Sequence, residues 1–447
     1  MLRAVVPETL DRIVRAAMGP PLAQQAAAIL LPSYAELAGG AASVAAVYAL
    51  SLALHVVLPA ERFHGYVLDA DGHPLVYRIN GFRVLLVVAA VALLRAALLG
   101  PGGVLDTATR AHGVAAASCL LGLALSLALF LRGRRLLRAG QIPEGRRCPV
   151  RHGGSATVGG SGGSEVLALC PEFRARSAPA HFYAGFEWNP RTRLLGADID
   201  TKMLLYLAGA VLLELNVLSA ALAHAAAWGG ADGRPLSNAM ALYAGCMSWF
   251  VCEYLFFEDV HTFTYDLFAE RVGFKLVWGC LCFYPNFYAL GAWCLVGVKP
   301  PADLGTVHAL LIAALFFAGW VLTRGANLQK FLHKLQGPPG SRHPAVWLVG
   351  WMRNETVRGS EGRLLCSGWW ALSRHVNYFG EVVQAVALAL PGWLCTGALL
   401  PWLYPIYYVL LFIPRQRDDD AACAIKYGAA WKRYVAAVPY RIVPGLY

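Results

Sequence analysis

Leu364–Gly380 reads LLCSGWWALSRHVNYFG, and an apolar run follows it directly. Within five positions this segment carries Arg374, His375, Asn377 and Tyr378. Tryptophan, arginine and tyrosine often anchor a membrane helix at the lipid interface, but an anchor does not require a cation, a titratable ring, an amide and a phenol side by side. The segment therefore predicts both a membrane boundary and a binding site next to it.

Apolar runs on both sides of this segment indicate the fold class. The chain has 447 residues, of which 57% are hydrophobic and only 15% are charged. Because lipid offers no water to the backbone, such runs must make their own hydrogen bonds, which favours helices. We predict an all-α polytopic membrane protein with about eight to ten transmembrane helices. A C-terminal cofactor pocket is expected to form from helix ends and loops.

The composition divides the chain into a lead, two helical regions and an insertion. Residues 1–40 are predicted as an amphipathic lead, and 152–165 as a flexible Gly/Ser insertion. Residues 41–300 are predicted to form the first membrane helices and 301–447 the C-terminal ones, while 64–82 is interpreted as a polar loop re-entering the membrane. The predicted apolar segments are Ala41–Val57, Arg83–Leu99, Val114–Leu131, Met203–Trp228, Ala239–Phe257, Gly273–Val298, Val307–Leu322, Val382–Leu400 and Trp402–Ile413.

The net charge of +11 bears on partners rather than on the fold. Basic loops beside anionic lipid are the first explanation in a membrane protein, and a pocket for an anionic cofactor is the second. Nucleic-acid binding is not predicted, because the sequence has no basic tail or recognised binding motif. The eleven cysteines lack the spacing of a zinc or redox site, so they are interpreted as buried thiols and no metal is predicted.

Polar clusters at other predicted helix ends extend the candidate site. A span is predicted to end just before Arg324-Gly-Ala-Asn-Leu-Gln-Lys330, and this combination of cations and amides suits an anion. Glu258 and Asp266 lie beside an apolar stretch, where ionisable groups are costly and tend to be functional. An acidic run begins after Arg415, and basic and aromatic residues follow it to the end of the chain.

Several of these segments resemble motifs of the sterol reductase family, whose members reduce a sterol double bond with NADPH. Residues 368–381 resemble the family pattern G-W-W-G-x-x-R-H-x-N-Y-x-G-D, and 324–330 resemble R-G-A-N-x-Q-K. Residues 185–191 (GFEWNPR) are similar to G-R-E-L-N-P-R, and 423–444 follow the family's C-terminal pattern. The double tryptophan is most similar to the C14 branch, which includes the lamin B receptor.

The resemblance implies a multi-pass enzyme of the endoplasmic reticulum membrane that reduces a sterol, most similar to reductases of the C14=C15 bond. NADPH is the implied cofactor, although the chain lacks a glycine-rich dinucleotide fingerprint. Side chains at helix ends would then hold the cofactor. The residues predicted to bind it are Arg324, Lys330, Trp370, Arg374, His375, Asn377, Tyr378, Arg415, Asp419, Tyr427 and Trp431.

The reaction also requires a proton donor, because reduction of an isolated alkene adds a proton and a hydride. Asp419, together with Tyr427 or Tyr434, is the first candidate, and Glu258 and Asp266 are the second. A carboxyl kept protonated in a dry pocket, or a phenol, would serve this role. The catalytic set therefore remains open between the C-terminal segment and the 258–266 cluster.

Departures from the family patterns leave alternatives open. Ala269, Cys280 and Gly291 stand where the family usually has His, Asp and Gln. These positions fall in the part predicted to face the sterol, so the substrate or the activity itself could differ. The alternatives are a C7 or side-chain sterol reductase, a membrane methyltransferase of the isoprenylcysteine type, and a non-catalytic sterol-binding protein. The predicted partners are the sterol substrate and the lipid bilayer, and protein partners are left open.

Overall fold

The computed structural model describes residues 32–69, 71–100, 105–139, 177–230, 233–335, 344–359 and 362–447. Most of the predicted lead and the whole predicted Gly/Ser insertion lie outside these ranges. The helices are α1 (Tyr34–Val57), α2 (Gly81–Leu99), α3 (Ala111–Arg138), α4 (Ala178–Ala184), α5 (Thr201–Trp228), α6 (Asn238–Phe256), α7 (Glu258–His261), α8 (Tyr265–Phe268), α9 (Phe274–Trp278), α10 (Leu290–Leu295), α11 (Thr306–Lys334), α12 (Val376–Thr396), α13 (Leu403–Tyr427) and α14 (Ala429–Ala437).

Seven of the described helices, α1, α2, α3, α5, α6, α11 and α12, are long and apolar enough to cross a membrane. The predicted class, a polytopic α-helical membrane protein, is confirmed. The prediction of about eight to ten spans also included 273–298 and 402–413, which fall outside this set. The first segment is broken, and the second is the apolar half of α13, whose other half is charged.

The segment between α9 and α10 is a π-helix over Gly279–Phe287 with Pro285 inside it. Proline has no N–H to donate to the preceding turn, so a regular α-helix cannot continue through it. The wider turn packs against α5, where the Asn216 side chain donates to the Pro285 carbonyl oxygen at 2.7 Å. The break thereby positions Cys280, Tyr284 and Tyr288 against the centre of the molecule.

Three antiparallel hairpins lie between the helices: β1 (Glu61–Leu68) with β2 (Pro74–Ile79), β3 (Arg191–Leu194) with β4 (Ala197–Asp200), and β5 (Thr356–Gly359) with β6 (Gly362–Leu365). The interpretation of 64–82 as a loop was wrong, since most of it forms β1 and β2. Arg78 in β2 donates to the carbonyl oxygens of Val56 and Leu58 at 2.9 and 2.7 Å. These bonds satisfy carbonyl groups at the end of α1 that have no partner within the helix.

Two cations hold the second hairpin and α5 in place. Arg191 bridges the hairpins, because it donates to Asp198 in β4 at 2.8 Å and to the Val76 carbonyl oxygen in β2 at 2.7 Å. Lys202 is completely buried at the start of α5. Its ammonium group donates to the carbonyl oxygens of Asp266, Leu267 and Glu270 at 3.2, 2.9 and 2.5 Å. The α8 segment is therefore fastened to α5.

Helices α11 and α12 pack closely where Gly319 meets Gly380. A Cβ atom on Gly319 would stand 2.7 Å from the Gly380 carbonyl oxygen, so both positions require a small residue. The predicted end of this span near Leu322 was wrong, since α11 continues to Lys334. Residues 324–330 are therefore helical, so their side chains point in different directions around α11 and contact different neighbours.

Candidate functional site

A cavity of about 840 Å³ lies between α5, α6, the broken helix, α11, α12 and α13. This volume is in the range of sites for small molecules and cofactors. We call its two parts the polar lobe and the aromatic lobe. The polar lobe is lined by Asn327, Lys330, His333, Lys334, Arg363, Trp370, Arg374, His375, Asn377, Asp419, Lys426, Tyr427, Trp431 and Tyr434. The aromatic lobe is lined by Phe250, Tyr254, Cys280, Phe283, Tyr284, Tyr288, Glu381, Tyr407 and Tyr408.

Positive charge is concentrated in the polar lobe. Lys330 and Lys334 are one helical turn apart on α11, and Lys334 experiences the charges of both Lys330 and Lys426. The Lys330 ammonium group lies 5.4 Å from the centre of the Trp370 ring, and that of Lys334 lies 5.5 Å from the Tyr66 ring. Cations beside aromatic faces form a suitable binding site for phosphate groups carried by an aromatic molecule.

Arg374 faces the polar lobe but is held by the C-terminal segment. Its guanidinium donates to the carbonyl oxygens of Val438 and Pro439 at 3.0 and 2.9 Å and to the Asp420 carboxylate at 3.1 Å. Burial opposes ionisation of Asp420, but bonds from His375 and Arg374 hold the pKa of this carboxyl below its ordinary value. With its donors engaged, Arg374 fits the role of a structural clamp better than that of a phosphate ligand.

His375 and Asn377 present hydrogen-bonding groups to the polar lobe. His375 Nδ1 lies 3.9 Å from a carboxylate oxygen of Asp419, and its ring is stacked on Tyr378 with ring centres 5.0 Å apart. The Asn377 side-chain N–H donates to Asn327 at 3.2 Å, whereas Asn377 Oδ1 is buried and has no hydrogen-bond partner among the described residues. A buried amide oxygen without a donor indicates a position at which a ligand N–H group would be satisfied.

An ion-pair network closes one side of the cavity near α8. Arg415 pairs with Asp266 and lies 3.7 Å from the Glu270 carboxylate, while Lys275 lies 2.9 Å from Glu270. Burial alone would raise the pKa of Asp266, but the Arg415 charge outweighs burial and holds this pKa below its ordinary value. Asp266 is therefore ionised at neutral pH and is a poor source of a proton.

Two predicted site residues lie outside the cavity lining. Arg324 is buried against Glu253, with which it pairs, and its guanidinium lies 4.4 Å from the centre of the Phe257 ring. Glu258 accepts a hydrogen bond from the Gly81 backbone N–H at 2.8 Å at the start of α2. The cavity lining therefore does not support the predicted roles of Arg324 and Glu258, and the contacts of both side chains are structural.

The remaining predicted residues are brought together around the cavity. Lys330, Trp370, Asn377, Tyr378, Asp419, Tyr427 and Trp431 line it, as do Arg374, His375, Arg415, Tyr434 and Asp266. Trp370 is fixed by an indole N–H bond to the Ala326 carbonyl oxygen at 2.9 Å. Burial raises the pKa of Tyr434, so this phenol stays protonated at neutral pH.

Comparison with known proteins identifies the family of the chain. Residues 177–447 match the model of the ergosterol biosynthesis ERG4/ERG24 family. The chain belongs to this family. A Delta(14)-sterol reductase of Arabidopsis thaliana is 30% identical over 395 residues, which cover 88% of this chain and 91% of the relative. The Delta(14)-sterol reductase TM7SF2 of Mus musculus is 30% identical over 100% of this chain and 95% of its own length. ERG24 of Saccharomyces cerevisiae, also named a Delta(14)-sterol reductase, is 28% identical over 90% of this chain.

Membership in the ERG4/ERG24 family confirms the predicted resemblance to sterol reductases. It also supports the prediction of an oxidoreductase of sterol biosynthesis rather than a methyltransferase, which belongs to another family. The matched region contains α4 to α14, and thus almost the whole lining of the cavity. The family assignment and the cavity therefore concern the same part of the chain.

The prediction missed several residues of the aromatic lobe. Tyr254, Tyr408 and Glu381 line it, and each lies in a segment that is mostly apolar. For Glu381 a signal was available, because it is the single Asp, Glu, Lys or Arg in α12, and such a group within a membrane helix is costly. His261 also lines the cavity; burial and the Arg324 charge lower its pKa to about 3, so its ring is neutral.

Proposed function

We propose that this protein reduces a sterol ring double bond with NADPH, and that the bond is C14=C15. The observation that carries the proposal is one continuous cavity that joins a cationic, aromatic lobe to an apolar, aromatic lobe. A phosphorylated dinucleotide requires the cationic lobe, and a sterol requires the apolar lobe. The relatives named Delta(14)-sterol reductase, which align with most of this chain, support the choice of bond.

The residues of the polar lobe fit a phosphorylated dinucleotide. Lys330 and Lys334 would contact phosphate groups, and Trp370, Trp431 and Tyr427 offer ring faces for stacking. The unpaired Asn377 Oδ1 suits the carboxamide N–H of a nicotinamide. When bound, a reduced nicotinamide supplies the hydride that no side chain can provide. We assign Asp419, Tyr427 and Tyr434 to this lobe and expect them to orient the cofactor.

The aromatic lobe fits the rigid apolar rings of a sterol. Protonation of a trisubstituted alkene creates a tertiary cation, and aromatic faces stabilise such a charge without reacting with it. Tyr288 stacks on Tyr404 with ring centres 3.9 Å apart, and Tyr408 stands edge-on to Tyr288. This part of the wall would surround the reacting carbons and exclude water from them.

The departures from the family patterns affect this lobe unequally. Ala269 and Cys280 line the cavity, so they change its wall directly. Gly291 does not line it: the Tyr243 ring occupies the space where a side chain at this position would begin. Tyr243 in turn donates to the Tyr288 carbonyl oxygen. Loss of the usual Gln at Gly291 is thus accommodated by packing, and selectivity for the sterol is expected to depend on Ala269 and Cys280.

The membrane location of the enzyme and the roles of the two parts of the chain follow from the same proposal. We place the enzyme in the endoplasmic reticulum membrane, where the sterol substrate is membrane-dissolved. Residues 41–300 would supply most of the aromatic lobe, and 301–447 would supply most of the polar lobe. The two parts of the chain do not each form one lobe alone, because Glu381, Tyr407 and Tyr408 of the second part also line the aromatic lobe.

The test is sterol analysis after expression in cells that lack their own C14 reductase, with Asp419→Ala as the impaired control. We expect the native chain to remove Δ14 sterols and the control to leave them. Persistence of Δ14 sterols with the native chain at full expression would contradict the choice of bond. Loss of Δ7 or side-chain unsaturation instead would assign the chain to another branch, and unchanged sterols with intact NADPH binding would indicate a binding protein.

A further inference from the structure

One carboxyl in the aromatic lobe has no role in the site as described so far. Glu381 lies on α12 and lines the cavity, although α12 is otherwise apolar enough to cross the membrane. An ionisable group at such a position is costly unless it is used. It does not serve the phosphate-binding cations, which stand in the polar lobe.

Glu381 has a hydroxyl partner, and two of the charged groups that act on it, Glu253 and Arg324, are paired with each other. Its carboxyl group interacts with the Tyr408 hydroxyl, and the Tyr408 and Tyr404 hydroxyl oxygens are 3.2 Å apart. The nearby cation, Arg324, is already paired with Glu253. A carboxyl group with hydroxyl partners in an apolar wall is able to hold a proton for delivery.

The position of Glu381 along α12 relates it to the cofactor lobe. Asn377 and Glu381 are four residues apart, so both face the cavity from the same side of the helix, separated by a rise of about 6 Å. If Asn377 holds the nicotinamide carboxamide, Glu381 stands one turn deeper, beside the sterol. The hydride and the proton are added to adjacent carbons, so their donors must lie close to the same part of the sterol.

We propose that Glu381 is the catalytic acid of this site, with Tyr408 as its hydrogen-bonding partner; this inference rests on the proposed reductase function. The O–H bond of the carboxylic acid breaks as a C–H bond forms at one alkene carbon, using the π electrons. The adjacent carbon becomes a tertiary cation and accepts the hydride that a reduced nicotinamide supplies. The Glu381 carboxylate, stabilised by the Tyr408 O–H, regains a proton from water after the product leaves.

The other candidate acids fit this step less well. Asp266 is ionised by Arg415, and Glu258 is bonded at the start of α2, outside the cavity lining. Asp419 lies near His375 in the lobe assigned to the cofactor. Glu214 offers a comparison, since it is also a buried carboxyl on a membrane helix, bonded to the Ser248 hydroxyl at 2.7 Å, but it does not line the cavity.

The test compares Glu381→Gln, Glu381→Asp and the matched control Glu214→Gln in purified full-length protein reconstituted in lipid nanodiscs. Glutamine keeps the shape but cannot donate the proton, so kcat should fall by at least about 100-fold. Binding of NADPH should stay within about threefold, which reports that the variant is folded. Glu381→Asp should retain part of the activity, and Glu214→Gln should stay within about threefold of the native rate.

A second measurement separates proton delivery from simple support of the fold. In heavy water the native enzyme should show a solvent isotope effect on kcat, and Glu381→Asp should change its size, because the same proton is transferred over a different distance. A Glu381→Gln variant that keeps more than a third of the native kcat would overturn this proposal alone. If the native chain reduces no sterol with NADPH, the proposed function fails first, and the role of Glu381 fails with it.

Discussion

Arg415 on α13 pairs with Asp266 on α8, and this ion pair joins the C-terminal helices to the segment fastened by Lys202. The two side chains come from positions 149 residues apart in the chain. The pair is part of the cavity wall, so a change in it should alter the shape of the site.

Asp266→Asn is therefore expected to lower kcat/KM for the sterol by roughly tenfold or more, because Arg415 is left buried without its main partner. Steady-state kinetics in nanodiscs would measure the effect. Asp198→Asn is the matched control, because its pair with Arg191 is largely exposed at the Asp198 side chain. Equal effects of the two substitutions would argue against a special role for the buried pair.

Lys202→Met should destabilise the protein more than it changes the chemistry. The substitution leaves three carbonyl oxygens of the α8 segment without their donor, at a cost of about 1–3 kcal/mol for each unsatisfied group. We expect the apparent Tm to fall by roughly 5 °C or more in a thermal-shift assay in detergent. The exposed Lys299→Met is the control, and an unchanged Tm for Lys202→Met would contradict this role.

The Glu258 carboxyl predicts a pH dependence of stability. Burial raises its pKa from 4.5 to about 8, so the folded protein favours the protonated form. Its contribution to stability is complete below pH 4.5 and is lost as the pH rises through about 8. Glu258→Gln should flatten the decline of apparent Tm over this pH range. A decline of the same size in the variant would assign the effect to other groups.

The lysines of the polar lobe should determine the preference for a phosphorylated cofactor. Lys330→Gln and Lys334→Gln are expected to raise the KM for NADPH by about tenfold, because each would remove a proposed charge-assisted contact to phosphate. Substitution of the lysine that contacts the 2′-phosphate should leave the KM for NADH nearly unchanged. Lys432→Gln, on the exposed side of α14, is the control for the change in net charge. If both lysine variants keep the native KM for NADPH, the phosphates bind elsewhere.

Predictions from pattern succeeded where one physical requirement dominates. Long apolar runs with few charges must form helices in lipid, so α2, α5 and α6 were predicted close to their observed bounds, whereas α1 begins earlier and α3 ends later than the predicted runs. Most of the polar residues singled out in 364–380 and 415–434 do line the cavity. Their types indicated a binding site before any contact was known, because an apolar environment does not otherwise retain so many donors and acceptors.

Predictions from pattern failed where a side chain had a choice of partner. Arg324 and Lys330 belong to the same motif, yet six positions along a helix correspond to about 600° of rotation, so they face different neighbours. Arg324 meets Glu253, whereas Lys330 faces the cavity. The hairpins were missed for a similar reason, since their short strands contain mixed residues and are stabilised by Arg78 and Arg191 across long separations.

The sequence by itself determined that this protein is a helical membrane protein of the ERG4/ERG24 type, because hydrophobic burial in lipid and the family motifs are properties of short continuous segments. Only the tertiary structure decided which polar residues share one cavity. That outcome depends on contacts between distant segments, such as Arg415 with Asp266 and Asn377 with Asn327. The rotation of each helix about its axis sets these contacts, and helix rotation is determined by packing against every neighbour at once.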